Sequence, residues 1–246
     1  MAGVDVLAAK GPPGMLIAAI GDVHGRLDLL EKMHAGIADQ IAKRSVADWR
    51  IVHLGDYVDR GPDSRGVIEF LAAAQTRDPR IICLAGNHDL GFLDFLTEPD
   101  PAGLFATNGG IETALSYGVT LDLQDLDALA VQHGELVQNV PDAHRRFIGD
   151  LVFSVEFGDF FFCHAGVMPG VPLNEQQPRD LIWIREQFLD YGELYAKVIV
   201  HGHTPTHDPE IRTNRINVDT GAFATGVLTS LLIEGSDKQL MQVVEE

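Results

Sequence analysis

Short apolar runs alternate with amphipathic segments over the first 90 residues of the chain. Runs at residues 15–20, 50–54 and 80–85 are dominated by aliphatic side chains, which predicts β-strands. Between them, apolar side chains recur at helical spacing over residues 27–43 and 64–75, which predicts two helices. The resulting β-α-β-α-β order favours a parallel sheet with right-handed crossovers.

The pattern changes to helices alone over about residues 90–150. Apolar spacing there predicts four helical segments, separated by proline and glycine signals, at residues 90–96, 110–117, 123–133 and 142–150. This helical insert carries none of the motifs described below. We therefore interpret it as a cap over the functional site and as a source of substrate selectivity.

Strand-like runs dominate the remainder of the chain. They lie at residues 151–157, 159–164, 197–200, 215–219, 227–234 and 239–244, with one further helix predicted at 181–191. A parallel first half and a largely antiparallel second half predict a mixed α/β (α+β) fold. Its expected form is a four-layer α/β/β/α sandwich of two mixed β-sheets flanked by helices. We expect residues 1–14 to be a flexible leader and residues 15–246 to form one domain.

Five short segments place metal-ligand side chains where apolar runs end. In chain order they are Gly21-Asp22-Val23-His24-Gly25, Gly55-Asp56-Tyr57-Val58-Asp59-Arg60-Gly61, Gly86-Asn87-His88-Asp89, His164-Ala165-Gly166 and His201-Gly202-His203-Thr204-Pro205. Taken singly, each has an ordinary structural explanation, such as a helix N-cap or a turn. At the carboxyl edge of a sheet, however, they would aim oxygen and nitrogen ligands into one crevice. Together they argue for a two-metal hydrolase.

The residue types in these segments suit a pair of divalent metals. Asp22 and His24 are two residues apart at a strand end, so both side chains can reach one metal, and the Asp56 carboxylate can bridge two. An amide oxygen and imidazole nitrogens come from Asn87, His164 and His203. Oxygen and nitrogen ligands without a thiolate suit Mn²⁺, Fe or Zn²⁺. Two such ions about 3.5–4 Å apart could bind a bridging water and lower its pKa.

Four further side chains predict the rest of the chemistry. His88 directly follows Asn87 and is placed to protonate a leaving oxygen, and Asp59 could orient its imidazole. Arg60 and Arg185 could hold non-bridging phosphate oxygens through bidentate hydrogen bonds. These roles point to hydrolysis of a phosphate ester.

Composition and charge narrow the class of partner. The chain has 246 residues, of which 46% are apolar and 22% charged, so a sizeable globular core can form. The formal net charge of −18 argues against a nucleic-acid-binding surface, which would be basic. Acidity does not exclude a phosphorylated substrate, because two bound divalent cations would reverse the local sign.

Hydropathy and cysteine usage indicate the compartment. No apolar run approaches the ~18 residues needed to span a bilayer, and the N-terminal segment lacks the pattern of a secretory signal. We therefore expect a cytoplasmic protein with no membrane partner. Cys83 and Cys163 lie inside apolar runs and are expected to be buried reduced thiols, with a disulfide as the less favoured alternative.

The ordered motifs GDVHG, GDYVDRG, GNHD, HAG and HGHTP resemble the signature of the phosphoprotein phosphatase family within the calcineurin-like metallophosphoesterases. The resemblance extends over nearly the whole chain after residue 14. It includes two segments that resemble bacterial members, residues 181–186 (LIWIRE) and 216–221 (INVDTG). It implies a serine/threonine protein phosphatase that uses two divalent metals, with manganese preferred over iron or zinc.

The resemblance also implies a role for each site residue. The ligands of the first metal would be Asp22, His24 and Asp56. Those of the second would be Asp56, Asn87, His164 and His203. The general acid, its partner and the two phosphate-binding arginines would be His88, Asp59, Arg60 and Arg185. His201, one position before the Gly of the last motif, would support a ligand or pack within its strand.

The predicted reaction is hydrolysis of a phosphomonoester. The substrate would be a protein phosphorylated on Ser or Thr, or a small phosphate ester. A metal-bridging hydroxide would attack phosphorus in line while His88 protonates the leaving oxygen.

One residue departs from the protein phosphatase pattern. Asp89 stands where those enzymes usually carry Glu, and Asn-His-Asp-Leu also resembles the symmetrical dinucleoside tetraphosphatases. Those relatives tend to lose Asp59, which this chain keeps. Two alternatives stay open: a symmetrical diadenosine tetraphosphate hydrolase, and an inactive metal-binding scaffold. The second is disfavoured because every expected ligand, Arg60 and His88 are present.

Overall fold

Two five-stranded β-sheets lie at the centre of the protein. The computed structural model describes residues 3–245. Its strands are β1 (Met15–Ile20), β2 (Asp48–His53), β3 (Ile81–Cys83), β4 (Ser154–Phe157), β5 (Phe160–Cys163), β6 (Val198–His201), β7 (Glu210–Ile211), β8 (Arg215–Asn217), β9 (Val227–Glu234) and β10 (Asp237–Val244). The first sheet has the order β10-β9-β1-β2-β3, and the second has the order β4-β5-β6-β8-β7.

The first sheet combines early and late parts of the chain. Strands β1, β2 and β3 are parallel, as predicted, with Ile20 opposite His53 and His53 opposite Cys83. On the other side of β1, β9 runs antiparallel, and β10 pairs antiparallel with β9. As a result, β1 is the central strand, and the carboxyl ends of β1, β2 and β3 meet at one edge.

The second sheet differs from the largely antiparallel arrangement expected. Its central pairs, β5 with β6 and β6 with β8, are parallel, and only the edge pairs β4–β5 and β7–β8 are antiparallel. The reason is that long connections follow β5 and β6 and return the chain to the starting end of the sheet before the next central strand. The ends of β5 and β6 therefore also share one edge.

Successive side chains of a strand point to opposite faces of its sheet, so β1 and β5 each contribute to two hydrophobic cores. In β1, Leu16 and Ile20 pack with the flanking helices, whereas Ile17 faces the core between the sheets. In β5, Phe162 joins that central core, whereas Phe161 packs with helices on the outer face. Three cores thus separate four layers, which confirms the predicted sandwich of two mixed sheets flanked by helices.

Helices cover the outer faces and form the insert. They are α1 (Leu27–Lys43), α2 (Ser64–Arg77), α3 (Asn87–Thr97), α4 (Leu104–Thr107), α5 (Gly110–Ser116), α6 (Leu126–Asn139), α7 (Asp142–Gly149), α8 (Pro178–Trp183), α9 (Glu186–Leu189) and α10 (Ala222–Thr225). The bounds of α1 are those that the amphipathic pattern predicts. The short elements β7, α4 and α10 were not predicted, because two to four residues are too few to display a period.

The single helix predicted at residues 181–191 is two short helices. Ile184 has extended dihedral angles (φ −61°, ψ 142°), which end α8 before α9 begins at Glu186. In a continuous helix, side chains two positions apart point about 200° apart. The extended residue instead allows Trp183 and Arg185 to approach the same side chain, His203.

Residues 3–14 are packed against the body of the protein, in contrast to the flexible leader expected. Val6 is 5% exposed and Ala9 is fully buried in the core between the sheets. The Val6 N–H donates to Thr213 O at 2.8 Å, and the Gly11 N–H donates to Gly235 O at 2.8 Å. Apolar burial and these hydrogen bonds offset the entropy of ordering the segment. The first two residues of the predicted leader lie outside the described residues.

None of the helices among residues 3–245 is long and apolar enough to cross a membrane. Cys83 and Cys163 are both free and buried, as expected, and they belong to different sheets.

Candidate metal centre

Tight turns after the strands direct the predicted site residues into one crevice. Among the described residues, all five non-glycine positions with positive φ belong to the predicted site: His24 (42°), Asp56 (55°), Asp59 (70°), Arg60 (68°) and His203 (67°). This left-handed conformation is unfavourable for residues with a Cβ and occurs mainly where function demands it. The strain is therefore concentrated at the site.

Asp56 is shared by two clusters of potential metal ligands. In the first cluster, one donor atom each from His24, Asp56 and His88 lies within 4.8 Å of the others, and His24 Nε2 is 3.5 Å from Asp56 Oδ2. In the second, donors of Asp56, His164 and His203 meet the same limit, and His164 Nε2 is 3.4 Å from Asp56 Oδ2. The Asp56 carboxylate thus occupies the position of a bridging ligand.

Asn87 and Asp22 flank the two clusters. Asn87 Oδ1 is 2.9 Å from His164 Nε2. The Asp22 carboxylate accepts the His203 backbone N–H at 3.0 Å. Burial, together with the carboxylates of Asp219 and Asp56, raises the pKa of Asp22 well above its ordinary value. A cation bound among these carboxylates would relieve their repulsion, so the donor set fits a divalent metal.

Two of the imidazoles are held in the neutral form that metal ligands require. Burial lowers the pKa of His24 to about 3 and the pKa of His203 to about 2. The second nitrogen of a ligand imidazole usually donates to a fixed acceptor, which orients the ring. Here His24 Nδ1 donates to Val58 O at 2.7 Å, and His164 Nδ1 donates to Leu54 O at 2.9 Å. Both rings therefore present Nε2 to the clusters.

His88 and Asp59 form a buried pair beside the first cluster. His88 Nδ1 donates to Asp59 Oδ2 at 2.7 Å, and the two side chains are 3% and 0% exposed. The Thr113 hydroxyl donates to Asp59 Oδ1 at 2.8 Å. Burial opposes protonation of His88, but the carboxylates of Asp56 and Asp59 outweigh it and raise the pKa of His88 above its ordinary value. Such a pair can hold a proton for a leaving group.

Arg60 lies across the first cluster. Its Nη1 donates to His24 Nε2 at 3.1 Å, and its Nη2 lies 3.0 Å from His88 Nε2. The ring centroid of Phe223 is 4.8 Å from the Arg60 guanidinium carbon. At the second cluster, Arg185 Nε donates to His203 Nε2 at 3.0 Å. Each cluster therefore has a guanidinium beside it, a group that can bind phosphate oxygens.

Asp89 faces the protein backbone and not the crevice. Its Oδ2 accepts the N–H groups of Asp56 and Gly86, both at 2.9 Å, and its Oδ1 accepts the Tyr57 N–H at 2.8 Å. The residue is fully buried. Its carboxylate therefore fixes the turn that carries Asp56. The presence of Asp in place of Glu at position 89 thus affects how the candidate ligand Asp56 is held, and Asp89 itself does not face the site.

A cavity of about 280 Å³ adjoins the second cluster. Asn87 and Trp183 contribute to its wall, and the centroid of the Trp183 ring is 6.2 Å from that of the His203 ring. Most of the remaining wall comes from α3, from α4 and from the loop between them. The predicted helical insert thus supplies the surface next to the site.

Comparison with known proteins decides the family. The calcineurin-like phosphoesterase model matches residues 15–223. The chain belongs to this family. It is therefore a metal-dependent phosphoesterase, and its fold implies divalent metal ions. The identification confirms the resemblance stated from the motifs.

Individual relatives carry several names. The asymmetrical bis(5'-nucleosyl)-tetraphosphatase PrpE of Anoxybacillus flavithermus is 24% identical over 88% of this chain and 90% of its own length. A solved structure of a protein proposed to be a diadenosine tetraphosphatase matches with a TM-score of 0.66 and 17% identity, covering 100% of this chain and 99% of that one. A Saccharomyces cerevisiae serine/threonine phosphatase similar to human PP5 matches with a TM-score of 0.55 and 14% identity, covering 95% and 82%. These structural similarities concern the fold.

The structure brings all ten predicted site residues into the same crevice. His201, the other histidine of the HGHTP motif, lies outside this group. Its buried ring contacts Phe188 edge-on with 4.9 Å between ring centroids, as expected for a packed strand residue. Three neighbours were not predicted: Thr113, Asp219 and Phe223. No sequence motif surrounds Thr113, which lies in the insert. Asp219 belongs to the INVDTG segment and Phe223 follows it closely, so that segment was a signal for these two residues.

Proposed function

We propose that this phosphoesterase hydrolyses phosphomonoesters, with proteins phosphorylated on Ser or Thr as its main substrates and small phosphate esters as further ones. The buried His88–Asp59 pair carries this proposal, with its 2.7 Å hydrogen bond and its position beside the first cluster. The alkoxide that leaves from a phosphorylated Ser or Thr is a poor leaving group, so its departure benefits from a proton donor. The pair supplies that donor at the crevice.

The metals would be held by residues of the two clusters and by the two residues that flank them. Asp22 would join His24 and Asp56 around the first ion, and Asn87 would join Asp56, His164 and His203 around the second. Bound divalent metals supply Lewis acidity and an activated water. We propose Mn²⁺, because oxygen and imidazole donors without a thiolate suit it.

The remaining side chains bind the phosphate and manage the proton. Arg60 and Arg185 hold non-bridging oxygens, one guanidinium at each cluster. His88 donates its proton from Nε2, the atom that lies 3.0 Å from Arg60 and hence beside the phosphate position. Asp59 holds Nδ1 and stabilises the imidazolium form of His88.

Hydrolysis of dinucleoside polyphosphates is the second candidate. The PrpE relative supports it, because its similarity extends over most of both chains. That relative is named as an asymmetrical enzyme, whereas the alternative raised from the sequence was symmetrical cleavage. A phosphate anhydride has a better leaving group than an alkyl ester, so this reaction would depend less on His88.

Side-by-side turnover by Mn²⁺-reconstituted protein tests both candidates. The substrates are an activated aryl phosphate, a phosphoserine peptide and diadenosine tetraphosphate. We expect turnover of the first two and little of the third. A higher kcat/KM for the dinucleotide would replace the leading proposal by the second, and its products, AMP with ATP or two ADP, would identify the cleaved bond. A metal-loaded protein without turnover of any substrate would support the inactive scaffold.

A further inference from the structure

The cavity beside the second cluster combines apolar walls with a row of carboxylates. The half-buried Leu90 and Leu104 contribute apolar surface, and Trp183, 44% exposed, forms one side. The described residues that line the cavity also include three carboxylates and no basic side chain. Those carboxylates are Asp94, Glu98 and Asp100.

These carboxylates are available to a ligand. Asp94, Glu98 and Asp100 are all exposed to solvent. Within residues 3–245, the carboxylates of Asp94 and Glu98 have no hydrogen-bond or ion-pair partner, and Asp100 accepts only the N–H of Ala102, at 2.9 Å. Three unpaired negative charges around an apolar cavity favour a positively charged occupant.

The position of the cavity makes it accessible from the catalytic crevice. Asn87 belongs to both, since it lines the cavity and lies 2.9 Å from His164. Trp183 lines the cavity and contacts His203 edge-on. A substrate whose phosphate lies between the clusters can therefore extend a neighbouring group into the cavity.

The shape and chemistry of the cavity suit the side chain of Arg or Lys. Such a side chain has an apolar stem, which can pack on Leu90 and Leu104, and a cationic head, which can approach the carboxylates. A cation also interacts favourably with the face of Trp183. A nucleobase is neutral and would gain no such charge pairing, and the polyphosphate that it carries would be repelled by the three carboxylates.

We propose that this cavity binds a basic side chain of a phosphorylated protein, close in sequence to the phosphorylated Ser or Thr. The inference rests on the proposed phosphatase function and adds the class of phosphoprotein that is preferred. It assigns substrate selectivity to α3, α4 and Trp183.

The test compares phosphoserine peptides that differ only in charge. Arg or its neutral isostere citrulline is placed in turn at three positions on either side of the phosphoserine. For the native protein at low ionic strength, we expect kcat/KM for the best Arg peptide to exceed that of its citrulline partner roughly fivefold. The preference should decrease in 0.5 M salt, because exposed charges are screened.

A double variant connects the preference to the cavity. Asp94→Asn/Glu98→Gln should reduce the ratio of Arg to citrulline turnover to about two or less. The matched control, Asp127→Asn/Glu135→Gln, removes two exposed carboxylates from α6, outside the lining of the cavity, and should keep the native ratio. Metal content and thermal midpoint verify that both variants fold.

The outcomes separate this inference from the proposed function. Equal turnover of Arg and citrulline peptides by the native protein would overturn the inference and leave the phosphatase proposal intact. So would a preference that the Asp94/Glu98 variant retains. Turnover of aryl phosphate but of no peptide would overturn both. A double variant whose kcat/KM changes for diadenosine tetraphosphate, but not for either peptide, would assign the cavity to a nucleobase and contradict the inference.

Discussion

The Thr113 hydroxyl donates a hydrogen bond to Asp59 Oδ1 at 2.8 Å, and the Asp59 backbone N–H points back at the same hydroxyl oxygen at 2.8 Å. Thr113 belongs to α5 of the helical insert, 54 residues away in sequence. Because Asp59 also holds His88, the insert is connected to the proposed proton donor. It thereby helps to position the proposed general acid.

Replacing Thr113 by Val should impair this connection without changing the side-chain shape. One oxygen of the buried Asp59 carboxylate would lose its donor, which costs about 1–3 kcal/mol of stability. We expect kcat for a phosphoserine peptide to fall about tenfold with little change in KM. Thr113→Ser retains the hydroxyl and should restore most of kcat. If the Val variant matches the native kcat, the insert does not position the acid.

His88→Asn should have an effect that depends on the leaving group. Turnover of a phosphoserine peptide should fall by about 10²–10⁴, because the alkoxide then leaves without its proton donor. Turnover of an aryl phosphate with an acidic phenol should fall much less. The measurement is kcat for both substrates at saturating Mn²⁺. An equal loss on both would indicate that His88 acts in metal binding, since it also belongs to the first ligand cluster.

Substitutions at Asp89 should affect stability and leave substrate preference unchanged. In Asp89→Asn, an amide NH₂ would face at least one of the three backbone N–H groups that the carboxylate now accepts, which should lower the free energy of unfolding by about 1–3 kcal/mol. Asp89→Glu introduces the residue usual in protein phosphatases. We expect it to keep the native ranking of phosphopeptide over diadenosine tetraphosphate. A reversed ranking would show that this position does select the substrate.

Gly86→Ala should abolish metal binding. A Cβ at this position would overlap the carboxylate and the backbone nitrogen of Asp56, the shared ligand. Gly134→Ala is the control, because a Cβ there has no atom within 4 Å and the change should stabilise α6 by up to about 1 kcal/mol. Calorimetric titration with Mn²⁺ measures both. A native-like affinity in the Gly86 variant would mean that Asp56 can move without loss of the site.

Stability should depend on pH through a histidine pair formed by the half-buried His34 of α1 and the fully buried His53 of β2. His34 Nε2 is 3.0 Å from His53 Nε2, and burial lowers the pKa of His34 to about 4 and the pKa of His53 well below its ordinary value. The unfolded chain binds these protons near pH 6.5, so stability is fully present above that pH and is lost as pH falls towards 4.

The contribution of His34 can be isolated by substitution. Between pH 7 and pH 5, the native free energy of unfolding should fall by about 1–2 kcal/mol more than that of His34→Leu. Urea unfolding in the presence of a chelator measures this difference without interference from metal binding. The exposed His207 provides the control, and His207→Leu should show the same fall as the native protein.

The ligand motifs could be recognised from sequence because each is local. Asp22 and His24 follow β1, and Asn87 follows β3 after three intervening residues, so their place at the sheet edge is set by the strands themselves. The contact of Thr113 with Asp59 could not be predicted, because it depends on how the insert packs. The burial of Val6 could not be predicted for the same reason. Residues 3–14 show no hydrophobic periodicity, and they are ordered by packing against the core between the two sheets.

The meeting of Asp22 with His203 has a consequence for the way the protein is made. Asp22 lies near the start of the chain, and the backbone N–H that it accepts comes 181 residues later. The ribosome adds about 5–20 residues each second, so roughly 10–40 s separate the synthesis of these two partners. Until His203 emerges, the nascent chain can present only part of the proposed ligand set, so divalent metal would be loaded after most of the chain has been translated.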